Sequence, residues 1–142
     1  MKKGFGLMLI TLGLVGASLA QEKTSLTPEM SLNLRAMNSI LLNVIMDQSY
    51  EGVAKSSVEI STHAKEITEK VPVTDPEAVA KFKAYALQLE ANADILKVLA
   101  EKIEKGKDMD SEHVASLKKS ASLTYGQIAT TCVSCHQEFR VK

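Results

Sequence analysis

The 142-residue chain has no tryptophan, only three tyrosines and three phenylalanines, and only two cysteines. A core short of large rings has to be built from aliphatic side chains and alanine. Two cysteines cannot make the disulfide framework of a small secreted scaffold. Prolines are also few, at 28, 72 and 76, so long stretches are free to be helical. An excess of one charge is missing as well, with 17 basic against 17 acidic residues. No positive field marks a nucleic-acid partner, and no basic amphipathic stretch marks a membrane surface. Nor does any segment alternate apolar and polar residues with period two over a useful length, which argues against a sheet.

What is present is helical. Alanine, leucine, lysine and glutamate dominate, and all are good helix formers. Residues 1–20 stand apart. Lys2 and Lys3 are followed by an apolar run from Phe5 to Val15, broken by Gly6 and Gly13, and then by Ser18-Leu19-Ala20. This is the pattern of a secretory signal peptide, too short and glycine-rich for a membrane span. A cut after Ala20 predicts a mature domain of residues 21–142 beginning at Gln21, exported to the periplasm, with no stable membrane insertion. No cysteine follows the cut, which argues against a lipoprotein. Without Lys2 and Lys3 the balance is 15 basic to 17 acidic residues, a formal charge of −2.

Four helices are expected in that domain. The first should open with Thr27 as cap and Pro28 and Glu29 in its first turn. Its apolar stripe reads Met30, Leu34, Met37, Leu41, Val44, the four-three spacing of a core face. The second carries Val53, Ser57, Ile60, Ala64, Ile67 and Val71, and Pro72 stops it. Asp75 caps the third, whose stripe begins at Val79 and Phe82 and runs through Leu89 and Leu96 to Ile103. Gly106 is expected to end it in a left-handed cap. Asp110 or Ser111 opens the fourth, with Val114, Leu117, Ala121, Ile128, Cys132, Cys135 and Phe139 on its stripe. Short connections make these neighbours antiparallel, so the fold predicted is an all-α, up-down-up-down four-helix bundle. Alanines at 64, 86, 93, 100 and 121 suit either close helix approach or room for an inserted cofactor.

The chemistry is concentrated in Cys132-Val133-Ser134-Cys135-His136. Two cysteines three apart, followed by histidine, is the pattern for covalent attachment of a c-type haem. Residues i and i+3 share one helix face, so both sulfurs can reach the two vinyl groups of one porphyrin edge. His136 can then bind the iron. A redox dithiol would normally follow a strand, and none is predicted. A zinc site would need two further ligands nearby, and no other cysteine exists. His113 lies 23 residues before His136, about 34 Å along a helix at ~1.5 Å per residue, too far for the same iron. His63 has no partner cluster and reads as a partly exposed surface residue.

The run from Cys132 to Arg140, with Phe139 and Arg140 following the motif near the end of a fourth helix, resembles the C-terminus of the cytochrome c′ family. The low-spin members, which use a methionine ligand, are the nearer likeness. The resemblance implies one covalent haem c near one end of the bundle and a distal residue from the first helix. An arginine often precedes that distal residue by one turn in members with an open distal face. Here Thr27 stands in its place and Arg35 comes after, so Arg140 is the candidate for a propionate contact.

Topology points to the same distal residue. The start of the first helix lies beside the end of the fourth, so Met30 can face the iron opposite His136. Met37 is about 10 Å further along the axis, and Met46 belongs to the far end. Cys132, Cys135, His136, Met30 and Arg140 are therefore the expected cofactor residues, with His136 and Met30 as metal ligands. A one-electron carrier with redox partner proteins is the leading expectation, because methionine ligation raises the potential. A five-coordinate binder of nitric oxide or carbon monoxide is the alternative, with Leu26 or Leu34 over the iron. An enzyme such as a peroxidase would want distal acid–base groups, and the sequence offers no histidine–arginine pair for them. A homodimer of such bundles is one arrangement the pattern admits.

Overall fold

A computed structural model describes residues 26–106 and 110–140; the expected signal peptide and the expected start at Gln21 lie outside the described residues. The chain forms α1 (Thr27–Leu42), a short π-helical segment (Asn43–Asp47), α2 (Tyr50–Glu69), α3 (Pro76–Lys105) and α4 (Ser111–Phe139). No strand occurs among the described residues. None of the described helices is long and apolar enough to cross a membrane. α1 packs on α2, α2 on α3 and α3 on α4, giving the antiparallel four-helix bundle.

Local signals account for most helix ends. The Asp75 carboxylate accepts from Ala78 N at 2.9 Å, and Asp110 accepts from His113 N at 3.2 Å, as N-caps do. The Ser49 hydroxyl accepts from Gly52 N at 3.2 Å at the head of α2. α2 stops at Glu69, short of Pro72. Two expected ends differ. Leu26, not Thr27, is the N-cap of α1; its carbonyl accepts from Met30 N at 3.0 Å. Leu26 takes this place because its side chain packs on the small core cluster of Ile67, Phe82 and Ala86. Gly106 caps α3 with φ −88°, outside the left-handed region; its N–H bonds back to Ile103 O at 3.2 Å in an ordinary tightened last turn.

The stripes of α2 and α3 bury much as their spacing predicts. Val53, Ser57, Ile60, Ala64 and Ile67 are buried on α2, and Phe82 through Ile103 on α3, with Val79 only half-buried. The Ser57 hydroxyl is buried without cost to polarity because it bonds back to Val53 O at 2.8 Å. Ala64, Ala93, Ala100 and Ala121 sit in the main core cluster, where their small size lets helices approach. Only Ala86, in the second cluster, also faces the cavity described below.

α1 departs from expectation. Its buried residues are Glu29, Asn33, Ala36 and Ile40, each one position before the predicted Met30, Leu34, Met37 and Leu41. Leu34 is 60% exposed, and Leu41 and Val44 are exposed too. The helix is turned so that its closest face rests on α2, where Ser56 donates to Ser39 Oγ at 3.0 Å. No Cα of α1 lies within 8 Å of a Cα of α4 among the described residues. A close-packed helix pair has axes about 8–10 Å apart, so this fourth seam stays open. On α4 the same opening leaves Cys132 and Cys135 half-buried, while Thr131 is buried in their stead.

Close approach of α1 to α2 depends on one glycine. A Cβ on Gly52 would lie 2.0 Å from Asn43 Oδ1. The Asn43 amide is held there by bonds to Ser39 O at 2.7 Å and Ser39 Oγ at 3.2 Å. Gly52→Ala should therefore destabilise the protein by displacing Asn43. In an Asn43→Ala background the same change should stabilise it by about 0.5–1 kcal/mol, the helix preference of alanine over glycine. Urea unfolding of the four species measures the coupling; strictly additive effects would mean that the two positions do not compete for the same space.

Candidate cofactor cavity

α4 stays helical through the whole motif, and Arg140 N bonds back to His136 O at 3.1 Å. Cys132 and Cys135 thus stand one turn apart on one face. Both are free thiols and half-buried. Burial pushes the Cys132 thiol up. It also raises Cys135, to about 11, with the charges of Cys132 and Glu138 adding to the effect. Both sulfurs therefore keep their protons at neutral pH and are not poised as exposed redox thiolates.

The face carrying these sulfurs looks into a cavity of about 630 Å³, within the roughly 300–1,000 Å³ usual for small-molecule and cofactor sites. α4 supplies Cys132, Cys135 and His136 to its wall, and Arg140 stands at its rim. Opposite, α1 supplies Met30, Asn33, Leu34 and Met37. Phe82, Ala86 and Leu89 of α3 form the back. All five residues chosen from the sequence, Cys132, Cys135, His136, Met30 and Arg140, border this one space. The exposed Leu34 also finds its explanation here: with Met30 and Met37 it borders the cavity.

The surroundings hold both long walls in place. Phe139 meets Phe82 edge to face, with centroids 5.4 Å apart, and Tyr85 at 6.2 Å. The Tyr85 hydroxyl donates to Glu138 Oε2 at 3.2 Å, and Lys81 pairs with Glu138 at 3.5 Å. These contacts tie the end of α4 to α3. Across the open seam, the Tyr125 hydroxyl donates to Met37 O at 3.4 Å. At the same end of the bundle, Lys70 pairs with the buried carboxylate of Glu29, fastening α1 to α2.

Sequence reasoning missed several of these partners. Glu29 and Lys70 are 41 positions apart, and no local pattern links them. Tyr85 lies outside the α3 stripe. Asn33 had a signal, since Glu29 and Asn33 are one helical turn apart and so share a face, but the stripe beside them is the more apolar one. His113 and His63 do not border the cavity. His63 is half-buried, with Nδ1 buried and without a hydrogen-bond partner.

The residues present fit a c-type haem. Two protonated thiols and an imidazole stand on one wall, a thioether on the other, and the space between is lined mainly by carbon. No group of three or more His, Cys, Asp or Glu side chains suited to a bare metal ion occurs among the described residues. No family model, no curated protein and no solved structure matches this chain.

The Glu29–Lys70 pair predicts a pH signature. The Lys70 hydrogen bond holds the Glu29 carboxyl below its ordinary value of 4.5, and the same bond raises Lys70 above 10.5. The pair's stabilisation is therefore complete between those two values. It is lost as pH falls through the lowered carboxyl value, and on the alkaline side as pH rises through the raised amine value. Lys70→Met should reduce the urea midpoint across the neutral range, with the gap to the parent protein closing on acidification below 4.5. A gap that stays constant into strong acid would assign the effect to packing of the lysine stem instead.

Proposed function

We propose that the chain is an exported, periplasmic monohaem c-type cytochrome that carries one electron at a time, and that its likeness to the cytochrome c′ family reflects shared chemistry. The observation that supports this most is the convergence of Cys132, Cys135 and His136 from α4 with Met30 from α1 on one cavity. Bound there, haem supplies a one-electron iron couple.

The protein's part follows from its residues. Cys132 and Cys135 would hold the haem through thioether bonds, which need no net oxidation. The His136 imidazole and the Met30 sulfur would bind its iron. Met30 is half-buried, with Leu34 and Met37 beside it, so its thioether would meet the iron from an apolar wall. Phe82, Ala86 and Leu89 keep water from the back of the site. Arg140, which borders the cavity, would meet a propionate carboxylate. A haem in this half-open cavity would keep an edge accessible to redox partner proteins. Leu26 and Leu34 line the same cavity. That favours, as a second reading, a five-coordinate site capped by leucine that takes nitric oxide or carbon monoxide.

Spectra separate the two. With Met30 on the iron, the ferric protein should be low-spin and show the weak sulfur-to-iron charge-transfer band in the far red. The ferrous protein should take up carbon monoxide poorly. Met30→Ala should turn the iron high-spin and lower the potential. Met37→Ala should leave the spin state alone. A parent protein that is already high-spin and binds carbon monoxide readily would move the gas-binding reading to first place.

A further inference from the structure

α1 holds its place against two opposing forces. Leu34, Leu41 and Val44 of its apolar stripe are exposed. On its packed side, Glu29 Oε2 and both polar atoms of the Asn33 amide are buried without a hydrogen-bond partner. Rolling α1 onto α4 would cover the apolar surface, return the polar atoms to water and close the cavity. α4 has a face to receive it. Val114, Ala121 and Cys132 lie four or seven residues apart from Tyr125 or from one another and so share its side of the helix. What stands between the two helices is Tyr125. No Cα of α1 lies within 8 Å of a Cα of α4 among the described residues, yet the Tyr125 hydroxyl reaches Met37 O at 3.4 Å. The ring itself spans the seam. Antiparallel helices then set Leu41 level with Ala121, one turn from this contact, and Met30 level with Cys132, two turns the other way. Met37 borders the cavity and Tyr125 does not, so the ring stands at the cavity's inner end.

We propose that Tyr125 is a positioning residue: its ring props α1 away from α4, so that the cavity stands open before haem enters. The purpose of the prop rests on the haem reading, but the prop acts in the haem-free chain and can be tested there. The bulk of the ring matters more than its hydroxyl, whose bond to Met37 O is long. A smaller side chain at this position lets Leu41 settle against Ala121 and brings Met30 toward Cys132. The space between the thiols and the thioether is then lost to the protein's own side chains.

The test uses the full chain kept free of haem by Cys132→Ser and Cys135→Ser, with one reporter thiol introduced by Leu41→Cys, where the parent side chain is 41% exposed. With Tyr125 present, iodoacetamide should modify the reporter readily. With Tyr125→Ala, closure of the seam should slow modification about tenfold. Tyr125→Leu, too short to span the seam, should do the same and covers the case in which alanine prevents folding. Tyr125→Phe keeps the ring and should label like the parent. A separate reporter, Val98→Cys on an exposed part of α3, should label equally in every species, which excludes general unfolding or tightening. In the chain with both native cysteines, Tyr125→Leu should lower the yield of covalently held haem several-fold, and Tyr125→Phe should restore it. A Leu41→Cys reporter that labels at the parent rate with Tyr125→Leu, or that Tyr125→Phe protects as strongly as Tyr125→Leu does, overturns the prop. The expected labelling pattern in a chain that takes up no haem with any residue at this position supports the prop and overturns the cofactor reading alone.

Discussion

Everything at the cavity depends on α1 standing off from α4. Three of the four seams of the bundle close in the usual way, with α1 on α2, α2 on α3 and α3 on α4. The last does not, and its width is set from both sides. Glu29 to Lys70 and Ser39 to Ser56 hold α1 on α2. Phe82 against Phe139, and Tyr85 with Lys81 around Glu138, hold the end of α4 on α3. Tyr125 reaches across to Met37 O as a strut. A bundle with four closed seams would have buried the Met30–Leu34–Met37 stripe and left no room between it and Cys132.

The core divides accordingly. A large cluster around Ile60, Ala64, Ala93, Leu96 and Ile128 fills the body of the bundle. A smaller one, Ile67, Phe82 and Ala86, lies at the cavity end, with Leu26, Met30, Cys135 and Phe139 packed against it. Stability can come mainly from the first cluster, where burial is complete. The second can then be shaped for a ligand. Half-burial of both cysteines follows from the same division, and it keeps their sulfurs protonated. Neutral, half-buried thiols are poorly suited to exchange with external disulfides.

Much of this was legible in the residues. The stripes of α2 and α3 face other helices on both sides, so period and burial coincide, and Asp75 and Asp110 cap where their side chains predict. The motif at Cys132 to His136 is local and could be read without a fold. That Met30 and His136 border one space needed only the order of four helices and the end of each. What could not be read was the rotation of α1. Met30, Leu34 and Met37 of its apolar stripe border the cavity, and a polar pair, Glu29 and Asn33, is buried on the packed side. Periodicity reports which residues are apolar, not whether their neighbour is a helix or a space. Glu29 with Lys70, and Tyr125 with Met37 O, join residues far apart in the chain, and such pairs leave no local trace.

Acid–acetone extraction of the purified protein, followed by a mass of the remaining chain, tests the haem assignment most directly. Two thioethers at Cys132 and Cys135 predict that the colour stays with the polypeptide, that its mass includes one haem, and that no free thiol can be titrated. A colourless chain with two reactive thiols, or with a Cys132–Cys135 disulfide, would contradict it.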